Sequence, residues 1–242
     1  MKKEYNNIIK GVKKYFKDNK LKKAVIGLSG GIDSSLCARL VADAIGPENL
    51  HGLILPDIDI TSLKSVSYAK YMARSIGIKY SIIPINRFIG QFRKLPWKES
   101  HIAVINTKSR IRANILFNYA NTHNALVIGT SNKSELALGY FTKYGDGAAD
   151  IEVIGSLYKT EVFELSRFLK LPEMIIRREP TAELFHGHTD EKELGAPYSQ
   201  LDTLLRQIAA GKRPKGVLAG KLIKRIKDNE HKRKAIPIIR AR

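Results

Sequence analysis

Apolar positions along the chain fall into two alternating rhythms. Residues 4–18 carry Ile8, Ile9, Val12, Tyr15 and Phe16 at helical spacing among lysines and asparagines, which predicts an amphipathic helix. A short continuous apolar run at 24–28 predicts a strand, with a helix at 34–45 behind it. The alternation continues with a strand at 50–55 ended by Pro56, a helix at 62–76, and a strand at 80–85. A helix at 109–121, a strand at 125–128 and a helix at 160–169 closed by Pro172 follow, then helices at 201–209 and 217–226. Between them, 87–107 shows no period, and the adjacent Pro96 and Trp97 predict a loop or a broken helix. No internal repeat and no low-complexity linker interrupts the order.

Strands that alternate with helices predict an α/β fold on a parallel sheet, because parallel neighbours need a crossover and the helix supplies it. In such sheets ligands bind beyond the carboxyl ends of the strands. The loops after Leu28 and after Ile128 are therefore where chemistry is expected.

The length of 242 residues suits one sizeable core, so a single domain over 1–242 is expected. Cys37 is the one cysteine, which excludes an intrachain disulfide and a cysteine-rich zinc site. It falls inside the helix at 34–45 and reads as a small buried apolar residue, not a nucleophile. Residues 1–23 lack the compact apolar stretch of a signal peptide, and no run approaches the ~18 apolar residues of a membrane span. A soluble, cytoplasmic protein is expected.

The formal charge of +19 is unevenly placed. Residues 1–23 hold nine lysines against two acids, and 211–242 hold twelve Lys/Arg against two acids, so the interior is nearly balanced. Both ends are read as basic appendages. Basic ends suit nucleic acid, polyanionic small substrates or a solvated face alike, and no aromatic-rich RNA-binding signature accompanies them.

The segment Gly27-Leu28-Ser29-Gly30-Gly31-Ile32-Asp33-Ser34-Ser35 follows a strand and opens a helix. Gly30 and Gly31 let the backbone turn and bring N–H groups to an anion, while Ser29, Ser34 and Ser35 offer hydroxyls. The helix N-terminus adds its positive end. Asp33 is the odd member, since a carboxylate repels phosphate, and the contradiction resolves if it holds magnesium bridging the phosphates. The loop is neither a Walker A motif nor a Gly-x-Gly-x-x-Gly fingerprint. Its Ser29–Ser34 stretch resembles the pyrophosphatase loop of the ATP-pyrophosphatase superfamily, whose members cleave ATP between the α and β phosphates.

After the fourth strand come Gly129-Thr130-Ser131-Asn132-Lys133-Ser134-Glu135, then Gly139-Tyr140-Phe141-Thr142-Lys143-Tyr144-Gly145-Asp146-Gly147, and Leu157-Tyr158-Lys159-Thr160. With Asn106, Arg110 and Arg112, the 179–184 and 189–195 stretches, and His231-Lys232-Arg233, these blocks resemble the NAD synthetases from about Gly27 to Pro237. The resemblance implies a Rossmann-like, three-layer α/β/α fold of the adenine nucleotide alpha hydrolase type. It further implies that Asp33 and Glu135 coordinate magnesium. Gly27, Leu28, Ser29, Gly30, Gly31, Ile32, Asp33, Ser34, Thr130, Lys159 and Thr181 would bind ATP. Arg110, Lys143, Asp150, His231 and Lys232 would bind deamido-NAD. Asp33, Glu135, Lys159 and Asp150 would be the catalytic set, with Asp150 positioning or deprotonating ammonium.

The implied activity makes NAD from deamido-NAD, ATP and ammonia, at the last step of NAD biosynthesis. A homodimer is implied too, with the helix at 109–121 (Ile111, Ile115, Leu116, Tyr119) as a candidate interface; Phe92 and Trp97 read as core or as the lining of a dimer groove. A glutaminase domain is absent from the chain, and a separate glutaminase partner stays open. Val153, Ser156 and the His186-Gly187-His188 stretch depart from the family pattern, and the two histidines read as solvent-exposed loop residues. Two rival readings remain: a tRNA-modifying ATP-pyrophosphatase, and a non-catalytic nucleic-acid-binding module on a nucleotide fold.

Overall fold

The computed structural model describes residues 1–181, 183, 185 and 187–241. Its centre is a five-stranded parallel sheet of β1 (Lys23–Gly27), β2 (Leu50–Ile54), β3 (Lys79–Ile82), β4 (Ala125–Gly129) and β5 (Ile151–Glu152), in the order β3-β2-β1-β4-β5. Strand β1 is central and buried on both faces, which is why Ala24, Val25 and Ile26 form an unbroken apolar run. Side chains alternate across it. Ile26 joins a cluster with α1 (Lys2–Asp18), α2 (Ile32–Ile45), α3 (Leu63–Ser75) and α7 (Lys159–Phe168); Val25 joins a second cluster beneath α4 (Asn86–Phe92) and α5 (His101–His123). The result is the expected three-layer α/β/α arrangement.

A third cluster lies at the carboxyl end of the sheet. There α6 (Lys133–Leu138) packs with α10 (Tyr198–Ala209) and α11 (Val217–Asp228) through Leu138, Leu201, Leu205 and Leu222. Further short helices include α8 (Glu173–Ile176), α9 (Asp190–Leu194) and α12 (Glu230–Arg233).

Several sequence expectations change. Residues 87–107 are largely helical: α4 begins at Asn86, and α5 begins at His101, where the Ser100 hydroxyl caps Ala103 N–H. The added turns of α5 bury no residue fully, so no apolar period marks them. Phe92 and Trp97 are exposed rather than core. Ile111 is buried, and Ile115, Leu116 and Tyr119 pack with it against the sheet while staying partly exposed. Parts of both basic ends pack on the core. Val12 and Phe16 of α1 are buried, the Tyr15 hydroxyl donates to Asp150 O at 2.6 Å, and α11 buries Ala219 and Leu222. Lysines fill the outward faces of these helices, and their apolar faces belong to the core. Among the described residues no helix is long and apolar enough to cross a membrane.

Candidate active site

The chain runs β1, β2, β3 outward in one direction and then crosses back to lay β4 against the other side of β1. This reversal opens a crevice between the carboxyl ends of β1 and β4. Both loops singled out in the sequence meet there, around a cavity of about 430 Å³, a size that suits a nucleotide-scale ligand.

On the β1 side, Gly31 is the N-cap residue of α2, and Gly30 has φ +75°. A Cβ on Gly30 would lie 2.3 Å from Ser65 O, so the loop presses directly against the first turn of α3. The hydroxyls largely hold the loop together: Ser29 Oγ accepts from Gly31 N–H at 3.2 Å, and Ser34 Oγ donates to Gly31 O at 3.2 Å. Backbone N–H groups and the α2 terminus are left as the anion-facing elements. Gly27, Leu28, Ser29, Gly31, Ile32, Asp33 and Ser34 line the cavity, while Gly30 sits behind them against α3.

On the β4 side, Asn132 and Glu135 form a capping box that starts α6. Glu135 N–H donates to Asn132 Oδ1 at 3.0 Å, and Asn132 N–H donates to Glu135 Oε2 at 3.1 Å. Asn132 Nδ2 also donates to Asp33 Oδ1 at 3.0 Å, which couples the two loops. Lys159 opens α7, its backbone N–H donating to Ser134 Oγ at 2.9 Å; Ser134 in turn donates to Asp202, which also accepts from Thr160 N–H at 2.8 Å. A single buried carboxylate on α10 thereby holds the start of α7 and the hydroxyl of Ser134.

The consequence is a buried ionic centre. Lys159 Nζ lies 2.6 Å from Asp33 Oδ2 and 3.4 Å from Glu135 Oε1, and its side chain is 2% exposed. Burial pulls the ammonium down, but Asp33 and Glu135 outweigh it and hold Lys159 above its ordinary value. Burial pushes the Glu135 carboxyl up; Lys159 opposes that and Asp33 adds to it, leaving a net upward shift. Nearby Glu152 is pushed up to about 7 by burial, against the Ser131 N–H that donates to it at 2.9 Å. Thr130 and Thr181 line the same cavity.

Asp33 and Glu135 suit a magnesium ion that arrives with a nucleotide. Magnesium is commonly held by one or two carboxylates plus phosphate oxygens. No group of three or more His, Cys, Asp or Glu residues stands together among the described residues.

The remaining predicted residues separate into two places. Arg110 Nε donates to Lys143 O at 3.3 Å, and Lys143 Nζ donates to His231 O at 3.0 Å. Lys232 Nζ donates to Gly139 O at 2.8 Å and Phe141 O at 2.9 Å, and it lines the cavity. Four residues drawn from positions 110 to 232 thus gather in one place, and of these Lys232 lines the cavity. Asp150 does not join them: its carboxylate accepts Val127 N–H at 2.7 Å at the sheet edge, and it is not part of the cavity lining. Asp146 is the aspartate of that segment that lines the cavity, with Oδ1 accepting from Ser109 Oγ at 2.6 Å and Thr142 N–H at 2.9 Å.

Sequence reasoning did not single out Asp146, Asp190, Glu193, Tyr140 or Arg225, all of which line the cavity. Asp190, Glu193, Tyr140 and Asp146 fell inside stretches already noted, so position within those blocks was the available signal. His188 is buried, not solvent-exposed, because its ring is paired on both nitrogens. His186 lies outside the described residues.

A switch-point crevice, a glycine-rich phosphate loop and a buried lysine between two carboxylates define a nucleotide-binding α/β enzyme of the ATP-pyrophosphatase type. The NAD synthase family model matches residues 4–236, and the chain belongs to that family. It is 43% identical to the NH(3)-dependent NAD(+) synthetase of Archaeoglobus fulgidus over 218 residues, 90% of this chain and 88% of that one. Among solved structures it is similar to the NMN synthetase from Francisella tularensis, with a TM-score of 0.87 and 31% identity over 98% of each chain. The NH3-dependent NAD synthetase from Campylobacter jejuni gives a TM-score of 0.85 at 31% identity over 99% of each.

Proposed function

We propose that the chain is an ATP-dependent ligase that converts the nicotinate carboxylate of deamido-NAD into the carboxamide of NAD, using ammonia and releasing AMP and pyrophosphate. The observation that carries this reading is Lys159, buried between Asp33 and Glu135 where the phosphate loop meets the β4 loop. A cation held there faces the charge that builds when a carboxylate oxygen attacks the α-phosphorus and the bond to pyrophosphate breaks. The α2 terminus and the loop N–H groups receive the phosphates. Magnesium on Asp33 and Glu135 would neutralise phosphate oxygens when bound.

In the second step ammonia nitrogen attacks the acyl carbon, the bond to AMP breaks, and one proton leaves the nitrogen. Asp146, whose carboxylate lines the cavity, is the acceptor this reading assigns. Asp146→Asn is expected to slow amide formation by about 10²-fold while pyrophosphate exchange into ATP continues. Loss of both activities together would remove Asp146 from the proton step. Arg110, Lys143, His231 and Lys232 form the rim proposed to receive the dinucleotide.

The test is incubation with ATP, magnesium, ammonium and deamido-NAD, followed by measurement of NAD, AMP and pyrophosphate. A second reading is favoured by the likeness to an NMN synthetase: the mononucleotide substrate in place of the dinucleotide. A higher kcat/KM for nicotinate mononucleotide would select it. Pyrophosphate release that requires tRNA would select the tRNA-modifying alternative instead. We also propose a homodimer, supported by Phe88, Phe92, Trp97 and Ile102, which are exposed apolar residues on and between α4 and α5.

A further inference from the structure

Thr181, which lines the cavity, and His188, which is buried, both lie between α8 and α9. Thr181 has one hydroxyl proton and two lone pairs. Its Oγ1 lies 2.6 Å from His188 O, a carbonyl that can only accept, so the proton is placed there. Oγ1 then accepts from Glu183 N–H at 3.0 Å, which leaves one lone pair facing His188 Nδ1 at 3.1 Å. Nδ1 must therefore be a donor.

The other ring nitrogen is constrained independently. His188 Nε2 lies 2.9 Å from Glu193 Oε2, a carboxylate oxygen, and 3.1 Å from the Tyr140 hydroxyl. Tyr140 has its own acceptor in Glu193 Oε2 at 3.0 Å, so it need not donate to the ring. An unprotonated Nε2 would set a lone pair against the carboxylate. Every contact is satisfied only when both ring nitrogens carry protons.

We infer that His188 is a positioning residue for the nucleotide site, its doubly protonated ring tying the Thr181 segment to Glu193 of α9 and to Tyr140 of the loop after α6. This rests on the proposed use of ATP. Among the described residues, the charged groups facing the ring are Glu193 and Asp190, both acidic. Arg225 of α11, 3.6 Å from Glu193, and Lys159, acting on Asp190, partly offset them. The Phe185 ring meets the imidazole edge-on at 4.9 Å and closes off the remaining side. Thr181 contributes to the cavity wall through a hydroxyl already fully used within its own segment, so its place depends on the knot.

Removing either ring proton breaks one arm. With one arm broken, the KM for ATP rises more than kcat falls. His188→Gln, whose single amide nitrogen cannot reach both Thr181 and Glu193, is expected to raise the KM for ATP roughly fivefold while kcat changes less. An unchanged KM, or equal changes in KM and kcat, overturns the proposal. A second measurement is independent of turnover: nitrogen NMR of the ligand-free protein, with the His188 signals identified by their loss in the glutamine variant. Both nitrogens protonated at about pH 6 is the expected result, and a neutral ring there overturns the proposal. A doubly protonated ring in a protein that makes no amide would overturn the function and leave the knot standing.

Discussion

Lys159→Ala is expected to lower pyrophosphate release by about 10³-fold or more, because it removes the cation held between the two carboxylates at the phosphate loop. In catalysis, a buried ammonium needs no reorganisation when charge accumulates on the α-phosphate, and a low-dielectric site makes its field count for more than it would in water. In stability, its removal leaves Asp33 and Glu135 facing each other without a counter-charge, a loss of on the order of 3 kcal/mol for a buried pair. Lys159→Met separates the two effects, since it keeps the volume of the side chain and removes the charge. The methionine variant is expected to melt as a folded protein and to release no pyrophosphate above background. Turnover of either variant near the wild-type rate would remove Lys159 from the chemistry.

Asp33→Asn carries the second-largest effect. The amide retains the shape of the carboxylate and still accepts from Asn132 Nδ2, so the two loops stay joined. What changes is charge: Lys159 loses its nearer partner, and the proposed magnesium pair is reduced to Glu135. Pyrophosphate release is expected to fall by about 10²-fold to 10³-fold, with the remaining activity requiring more magnesium than the wild type does. Titration of initial rate against magnesium at fixed ATP reads both quantities. An unchanged magnesium dependence would mean that Asp33 serves the fold and the lysine, not a metal.

Much of the architecture was legible because the core of a parallel sheet is written locally. Strands β1 and β4 are buried on both faces, so they appear as apolar runs. The phosphate loop was legible for a similar reason, since Gly30 must adopt φ +75° against Ser65 O and only glycine does so without cost. Other elements had no local signature. Strand β5 has two residues, too few for any period, and exists because Ile151 and Glu152 pair with the end of β4. The first turns of α5 bury too little to show a stripe, and the lysine-rich faces of α1 and α11 concealed how firmly their other faces are packed.

Within the site the division is sharper. The sequence by itself determined which residues carry charge and hydroxyls, and the motif spacing placed Asp33, Glu135 and Lys159 in loops that a parallel sheet brings to one end. Only the tertiary structure decided their relation: Lys159 between the two carboxylates, Asn132 joining the loops, and Asp202 of a distant helix setting the start of α7. It also decided between neighbours, with Asp146 turned to the cavity and Asp150 turned to the sheet edge four residues away. His188 shows the reason most plainly. Its ring is an interior group because Thr181, Tyr140 and Glu193 surround it, and partners contributed by separate segments leave no local pattern to read.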